Sequence, residues 1–327
     1  MKPMKPMKQM AAVALGLALG MTTNGTARAD TFGSGGNAFT IDFVNVGNPG
    51  NANDSGTTGS YFSAFGGVAY DFRMGTYEVS EDMITKANAE GSLEITKDTR
   101  GVDKPATSVS WNEAARFVNW MNTSSGYSAA YKFTLQPGDL GYGANANIEL
   151  WQVGDAGYNA ANLYRNSNAF YFLPSEDEWY KAAYYSGSGT TYFDYALQSD
   201  TIPNAVSGGA SGAVYNGQTG PADVANAGGS SFYGTVGQNG NAWERNESAF
   251  NAPNDSTSES RAIRGGGWTS AGGNLVSSNR FNFGGPTTEG GNIGFRVASI
   301  PEPSTAAFMI LIPVGAWSLR RRRSRSL

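Results

Sequence analysis

The sequence predicts an α+β body with few regular elements and much irregular loop, and three observations carry that expectation. Glycine is abundant at 44 residues, yet 7 tryptophans, 16 tyrosines and 17 phenylalanines accompany it, an aromatic load that a disordered chain does not carry. Strand-like runs with a period of two are short. Only two helical segments are marked by strong start signals.

In chain order, Phe39, Ile41 and Phe43 alternate with Thr40 and Asp42, which predicts a half-buried strand. Val68, Tyr70 and Phe72 repeat the pattern, and Phe170 to Leu173 and Phe295 to Ala298 are further candidates. A weaker helix is expected from Glu81 to Ala89. Ser110-Trp111-Asn112-Glu113 matches a capping box, followed by an apolar stripe of Ala114, Phe117, Val118 and Met121 at i, i+3, i+4 and i+7. Ser175-Glu176-Asp177-Glu178 repeats the box behind Pro174, with Trp179, Ala182 and Ala183 continuing inward.

Both ends read as sorting segments. Lys2, Lys5 and Lys8 precede the apolar run Ala11 to Gly20, and Ala27-Arg28-Ala29 places small residues at a cleavage site. Residues 1–29 therefore read as a secretory signal peptide, with a mature chain starting near Asp30. At the other end Pro301-Glu302-Pro303 leads into the short apolar stretch Ala306 to Leu319 and then four consecutive arginines from Arg320. That is marginal for a membrane span, with its basic end held inside. Between them, 30–67 reads as an N-terminal strand and linker and 68–298 as the main domain.

Charge narrows the partners. Of 23 Lys and Arg, nine lie in the two ends, and of 27 acidic residues only Glu302 does. Subtraction leaves 14 basic against 26 acidic residues, a body near −12. Nucleic acid is a poor partner for such a surface; cations or neutral glycans are better ones. The chain has no cysteine and no histidine. Disulfides, thiolate nucleophiles, serine–histidine triads and imidazole or thiolate metal sites are thereby excluded, and no copper, zinc or haem is expected.

Few constellations remain. The acids Glu176 to Glu178 fit a helix cap and dipole better than acid–base work. Gly265-Gly266-Gly267 lacks the Lys-Ser/Thr of a phosphate loop. Gly240-Asn241-Ala242-Trp243-Glu244 combines turn carbonyls with Asn and Glu oxygens, which suits either a calcium ion or a plain buried turn.

These pieces, in this order, resemble the formylglycine-generating enzyme (sulfatase-modifying factor) family. The motifs are Met74-Gly75-Thr76-Tyr77-Glu78-Val79-Ser80, Pro105 to Ala114, Leu173-Pro174-Ser175-Glu176-Asp177-Glu178-Trp179, Gly240 to Glu244, Arg264 to Trp268, Ser278-Asn279-Arg280 and Gly294-Phe295-Arg296. The resemblance implies a C-type-lectin-like fold. It also implies copper-dependent oxidation of a substrate cysteine by two cysteines just after the Arg-Gly-Gly motif. Here Trp268 to Leu275 contains no sulfur, and Val118 stands where many relatives carry a cysteine. Serine does not make the soft bond copper(I) requires, so that reaction is not expected. The resemblance further implies calcium held by Gly240 and Ala242 carbonyls and Glu244, with Gln238 or Asn239 supplying the oxygen that Gly237 lacks. A second site would involve Asn216.

The tail resembles the PEP-CTERM sorting signal. It implies an exosortase-type protease as partner, removal of the tail, and delivery to the cell surface or a polysaccharide-rich matrix. The expected function is a non-catalytic surface or matrix protein that binds an extracellular polysaccharide or protein partner. Trp243, Trp268, Tyr233, Asn279 and Arg280 are the candidate contacts. Both tryptophans read more readily as core, and Arg280 and Arg296 as buried ion-pair anchors. An enzyme of other chemistry and a purely structural component are the alternatives.

Overall fold

The computed structural model describes residues 28–55, 64–146, 148–251 and 253–301. The signal-peptide segment before Arg28 and the sorting tail beyond Pro301 lie outside the described residues.

Among the described residues, two small sheets and three α-helices, with three short 3-10 turns, make up the regular structure. β1 (Arg28–Phe32), β2 (Phe39–Val46), β3 (Phe72–Gly75), β9 (Ala298–Ser299) and β4 (Tyr171–Phe172) form an antiparallel sheet in that spatial order. β7 (Phe281–Asn282), β6 (Arg261–Arg264), β5 (Trp243–Ala249) and β8 (Ile293–Gly294) form the second, with β5 and β8 parallel. The helices are α1 (Glu81–Gly91), α2 (Trp111–Ser124) and α3 (Glu176–Tyr184). The α+β class with little regular structure is as the sequence predicts.

β2 keeps the predicted alternation, with Phe39, Ile41 and Phe43 buried between exposed residues. The pattern at Val68 to Phe72 does not become a strand along its length. β2 ends at Val46, opposite Phe72, and the backbone before Phe72 meets the following loop instead, Val68 O accepting from Gly50 N at 2.7 Å. Tyr70 is exposed and donates its hydroxyl to Glu178 instead. Likewise Phe295 and Val297 spend their carbonyls on Val79 and Gly75 amides, and only Ala298 of that run enters the ladder. β1 is a strand that sequence reasoning assigned partly to the cleavage region. Its Asp30 binds Arg73 at 2.6 Å and accepts from Tyr171 at 2.9 Å, and the ladder with β2 already begins at Arg28, opposite Phe43.

α2 is the centre of the core. Both reciprocal bonds of its capping box form: Glu113 N donates to Ser110 Oγ at 3.2 Å and Ser110 N to Glu113 Oε2 at 2.8 Å. The same box closes α3 through Ser175 and Glu178. The predicted stripe of α2 is buried, and so are Trp111, Ala115 and Arg116 off the stripe, because sheet and loops enclose the helix on every side. Arg261 is sandwiched between Trp111 and Tyr164, at 4.1 and 3.8 Å from the ring centres. Among the described residues no helix is long and apolar enough to cross a membrane.

Ser110→Ala should lower stability by about 1 kcal/mol, since it orphans the Glu113 amide. Denaturant unfolding at constant m-value checks this, and an unchanged midpoint would contradict it.

Candidate ligand-binding face and the buried motif network

The motif residues meet inside the protein. Asn241 adopts a left-handed backbone, φ 60°, which asparagine tolerates better than other side-chain-bearing residues. All its polar groups are then used: its amide donates to Val214 O and its carbonyl accepts from Trp268 N, both at 2.8 Å. Its side chain accepts from Ala222 N at 2.8 Å and donates to Glu78 Oε2 at 2.6 Å. Gly240 beside it has φ +84°, and a Cβ there would sit 2.3 Å from the Val214 carbonyl oxygen. The turn is a packing solution that admits glycine and then asparagine.

Glu244 lies at the start of β5, fully buried. Arg296 binds it bidentately at 2.5 and 2.6 Å, and Trp179 Nε1 donates to Oε2 at 2.7 Å. The remaining Arg296 donors reach the carbonyls of Gly75, Thr76 and Val236. Glu78, which sequence reasoning saw only as part of a motif, is the second buried carboxylate here. Ala242 N donates to its Oε1 at 3.0 Å. Burial, and then the neighbouring Glu244 charge, push the Glu78 carboxyl well above the usual range; Arg296 pulls the other way.

A second ionic knot ties α3 to β5. Arg165 grips Glu178 with two bonds of 2.9 Å and Glu247 at 2.8 Å, and Tyr131 donates to Glu247 at 2.7 Å. Glu176 accepts from both Arg264, at 2.7 Å, and Arg280, at 2.8 and 2.6 Å. The acids of the Leu-Pro-Ser-Glu-Asp-Glu-Trp motif are thus anchors for buried arginines as well as cap residues. Their partners, dispersed over 115 residues of chain from Arg165 to Arg280, were not legible from spacing.

The calcium expectation meets a different arrangement. Both Glu244 oxygens already face a permanent cation, and the Ala242 amide is directed at Glu78. Asn239 is spent on Ala196 N and Leu275 O. Asn216 is exposed on a separate turn, its amide bonded to Ser270 O at 2.8 Å. No cluster of three or more acidic side chains capable of holding a metal occurs among the described residues. Of the expected ligands Gly240, Ala242, Glu244 and Asn216, Glu244 thus has its charge met by Arg296, and Asn216 lies on a different turn from the other three.

The stretch that carries the paired cysteines in the resembled enzymes is closed here. Ser270 folds back on Gly267, accepting its amide through Oγ and donating its own amide to the Gly267 carbonyl, each at 2.9 Å. Leu275 is fully buried against Ala213 and Tyr215, and its carbonyl accepts from Tyr184 and Asn239. An apolar plug and a self-bonded turn occupy the ground.

The candidate contacts divide. Arg280 is bound to Glu176 and the Phe250 carbonyl, so it is structural. Asn279 gives its carbonyl to Arg264. Tyr233 is half-buried and bonds Asn48 and the Gly47 carbonyl. Trp243 and Trp268 are mostly buried, each presenting little surface. The surface near them is made by residues that sequence reasoning did not single out. Phe281, 39% exposed, stands edge-on to Trp243 with ring centres 5.3 Å apart, and Phe283 is 37% exposed. The exposed Arg100 lies 5.0 Å over the Trp268 ring and donates to Gly291 O at 2.9 Å. Phe281, Phe283 and Trp243 thus form an aromatic strip at the edge strand β7, and Arg100, Trp268 and Gly291 form a separate group beside β8 on the opposite edge of that sheet. The clue in the sequence was Phe281-Asn282-Phe283-Gly284-Gly285, two aromatics beside a glycine turn.

This is the architecture of a formylglycine-generating-enzyme-like body. Residues 37–300 match the Sulfatase-modifying factor enzyme 1-like domain, and the chain belongs to that family. With no cysteine it cannot perform the family's copper–thiolate oxidation. Among solved structures it is similar to Treponema denticola variable protein 1, at 19% identity and TM-score 0.57, over 85% of this chain and all of that one. It is similar to CarF at 20% identity and TM-score 0.57, over 80% and 99%. It is also similar to PvdO from Pseudomonas aeruginosa at 17% identity and TM-score 0.51, over 83% and 98%. These likenesses show the fold. A comparison with curated proteins gives no match.

Arg296→Met should destabilise the protein by about 3–5 kcal/mol, because it leaves Glu244 charged, buried and unpaired. Urea unfolding measures it; a loss below about 1 kcal/mol would show that the clamp is not structural.

Glu78 sets a pH dependence. Its ordinary value is 4.5, and its folded value is raised. Above pH 4.5 the unfolded chain has lost this proton while the fold retains it, so the unfolded state binds fewer protons. Stability then falls as pH rises from there until Glu78 titrates in the fold, by at most about 1.4 kcal/mol per pH unit. Glu78→Gln should flatten that decline between mildly acidic and neutral pH in melting experiments. An unchanged slope would contradict the assignment.

Proposed function

We propose that this protein is an exported, non-catalytic recognition protein that binds a neutral polysaccharide of the cell surface or matrix through the aromatic strip at β7. The observation that carries the reading is the strip itself. Phe281 and Phe283, each more than a third exposed, sit at a sheet edge beside the Trp243 ring, and buried ion pairs tie down the sheet behind them. Aromatic faces with a few polar neighbours suit the apolar faces and hydroxyls of sugar rings. The acidic body favours a neutral chain over an anionic one. Loops on a fixed scaffold are where this kind of binding resides.

The ends of the sequence support the export part of the proposal. A signal peptide ending at Ala29 and a Pro-Glu-Pro, apolar and arginine tail read together as secretion followed by exosortase-type processing. Mass spectrometry of the protein recovered from the cell surface should find a chain that begins near Asp30 and lacks the arginine cluster. An intact tail would contradict processing.

Binding is tested on a glycan array, followed by titration of the strongest neutral glycan. Saturable binding without turnover is expected. The double variant Phe281→Ser, Phe283→Ser should weaken it by about tenfold or more, as loss of aromatic hot spots does. Each ring is a little over a third exposed and Phe281 packs on Trp243, so the variant should melt somewhat below the parent yet remain folded, which circular dichroism at the titration temperature checks. Binding that survives the double change would remove the strip from the proposal.

A further inference from the structure

A separate feature lies under the middle of α2. A cavity of about 150 Å³ is bounded by Gly91, Leu93, Arg116, Trp120, Gln136 and Tyr142, among others. None of these residues belongs to the β7 strip. A cavity near 150 Å³ takes a single six-membered ring.

Its wall holds an uncompensated charge. Arg116 is 4% exposed, and its guanidinium lies 3.9 Å from the Phe133 ring centre and 4.7 Å from that of Tyr142. Nε donates to Ala144 O at 2.9 Å and Nη1 to Leu135 O at 3.0 Å, both neutral carbonyls. No carboxylate among the described residues lies within ion-pair distance, as is also so for the buried Arg245 and Arg261, whereas Arg73, Arg165, Arg264, Arg280 and Arg296 each have one. Burial correspondingly lowers the Arg116 pKa, with only the Tyr142 phenol to oppose it. Trp120 adds a second open donor: its ring packs on Phe39 and Phe117, and no acceptor among the described residues meets its indole N–H. The rim is polar, with Asn119, Thr123 and Gln136.

We propose that this cavity is a binding site for a small ring-sized carboxylate, whose oxygens pair with Arg116 while the ring lies beside Trp120 and Tyr142. A buried cation is stabilised by an anion far more than by a neutral hydroxyl. The net negative body does not forbid this, since charges beyond about 8 Å are screened at physiological salt. Two sources share the chemistry: the uronate unit of an acidic sugar, and a free organic acid.

The test titrates the full-length protein calorimetrically with glucuronate, cyclohexanecarboxylate and glucose at millimolar concentrations. Saturable binding of glucuronate alone assigns the site to a sugar acid; binding of both carboxylates assigns it to organic acids generally. Glucose binding as tightly as glucuronate, or no binding by either carboxylate, would overturn the proposal. Arg116→Gln should weaken carboxylate binding by about tenfold or more, the loss of one charged hydrogen-bonding partner. Because Arg116 also supports the Ala144 and Leu135 carbonyls, Trp120→Phe provides a second variant that keeps the aromatic packing. It should weaken binding by about threefold to tenfold, the range of one neutral hydrogen bond. Undiminished binding in a folded Arg116→Gln protein, or in Trp120→Phe, would refute the assigned contacts.

Discussion

The fold depends on Arg296. Its guanidinium joins the carboxylate of Glu244 to the backbone of β3's end and to Val236, all without solvent. The segments so joined are 220 residues apart along the chain between Thr76 and Arg296. Regular ladders are few here, and several strands are two residues long. In such a protein loop carbonyls need other donors, and buried arginines supply five each in a fixed fork. Arg165, Arg264 and Arg280 do the same work around α3. This explains how a chain without disulfides keeps long glycine-rich loops in place. It also explains why the loops can carry function without unravelling.

The sequence disclosed the parts governed by local physics. Capping boxes at Ser110 and Ser175 are short-range contacts between residues three apart, and both formed. β2 showed its alternation because one face is wet. β5 did not, because Trp243 to Glu247 are all buried, and a strand buried on both faces has no period-two signature. Its charged residues Glu244, Arg245 and Glu247 even argue against a strand, since their partners come from distant segments. Likewise the Gly240 to Glu244 turn was legible as unusual but not as an arginine site. The decisive residue, Arg296, lies 52 positions from Glu244.

The candidate face was half legible. Trp243 and Trp268 were visible as aromatics in motifs, yet each is a foundation with little surface. The exposed residues Phe281, Phe283 and Arg100 sit outside the motifs, on an edge strand and loops that the motif network holds in place.

If buried ion pairs hold this loop-rich body together, its motif amides should be its most protected ones. Native-state hydrogen exchange at increasing denaturant tests that directly. The amides of Asn241, Ala242 and Trp268, in turns outside any helix, should exchange only through global unfolding, alongside those of α2. Exchange of these amides through local opening, well before α2, would contradict the account.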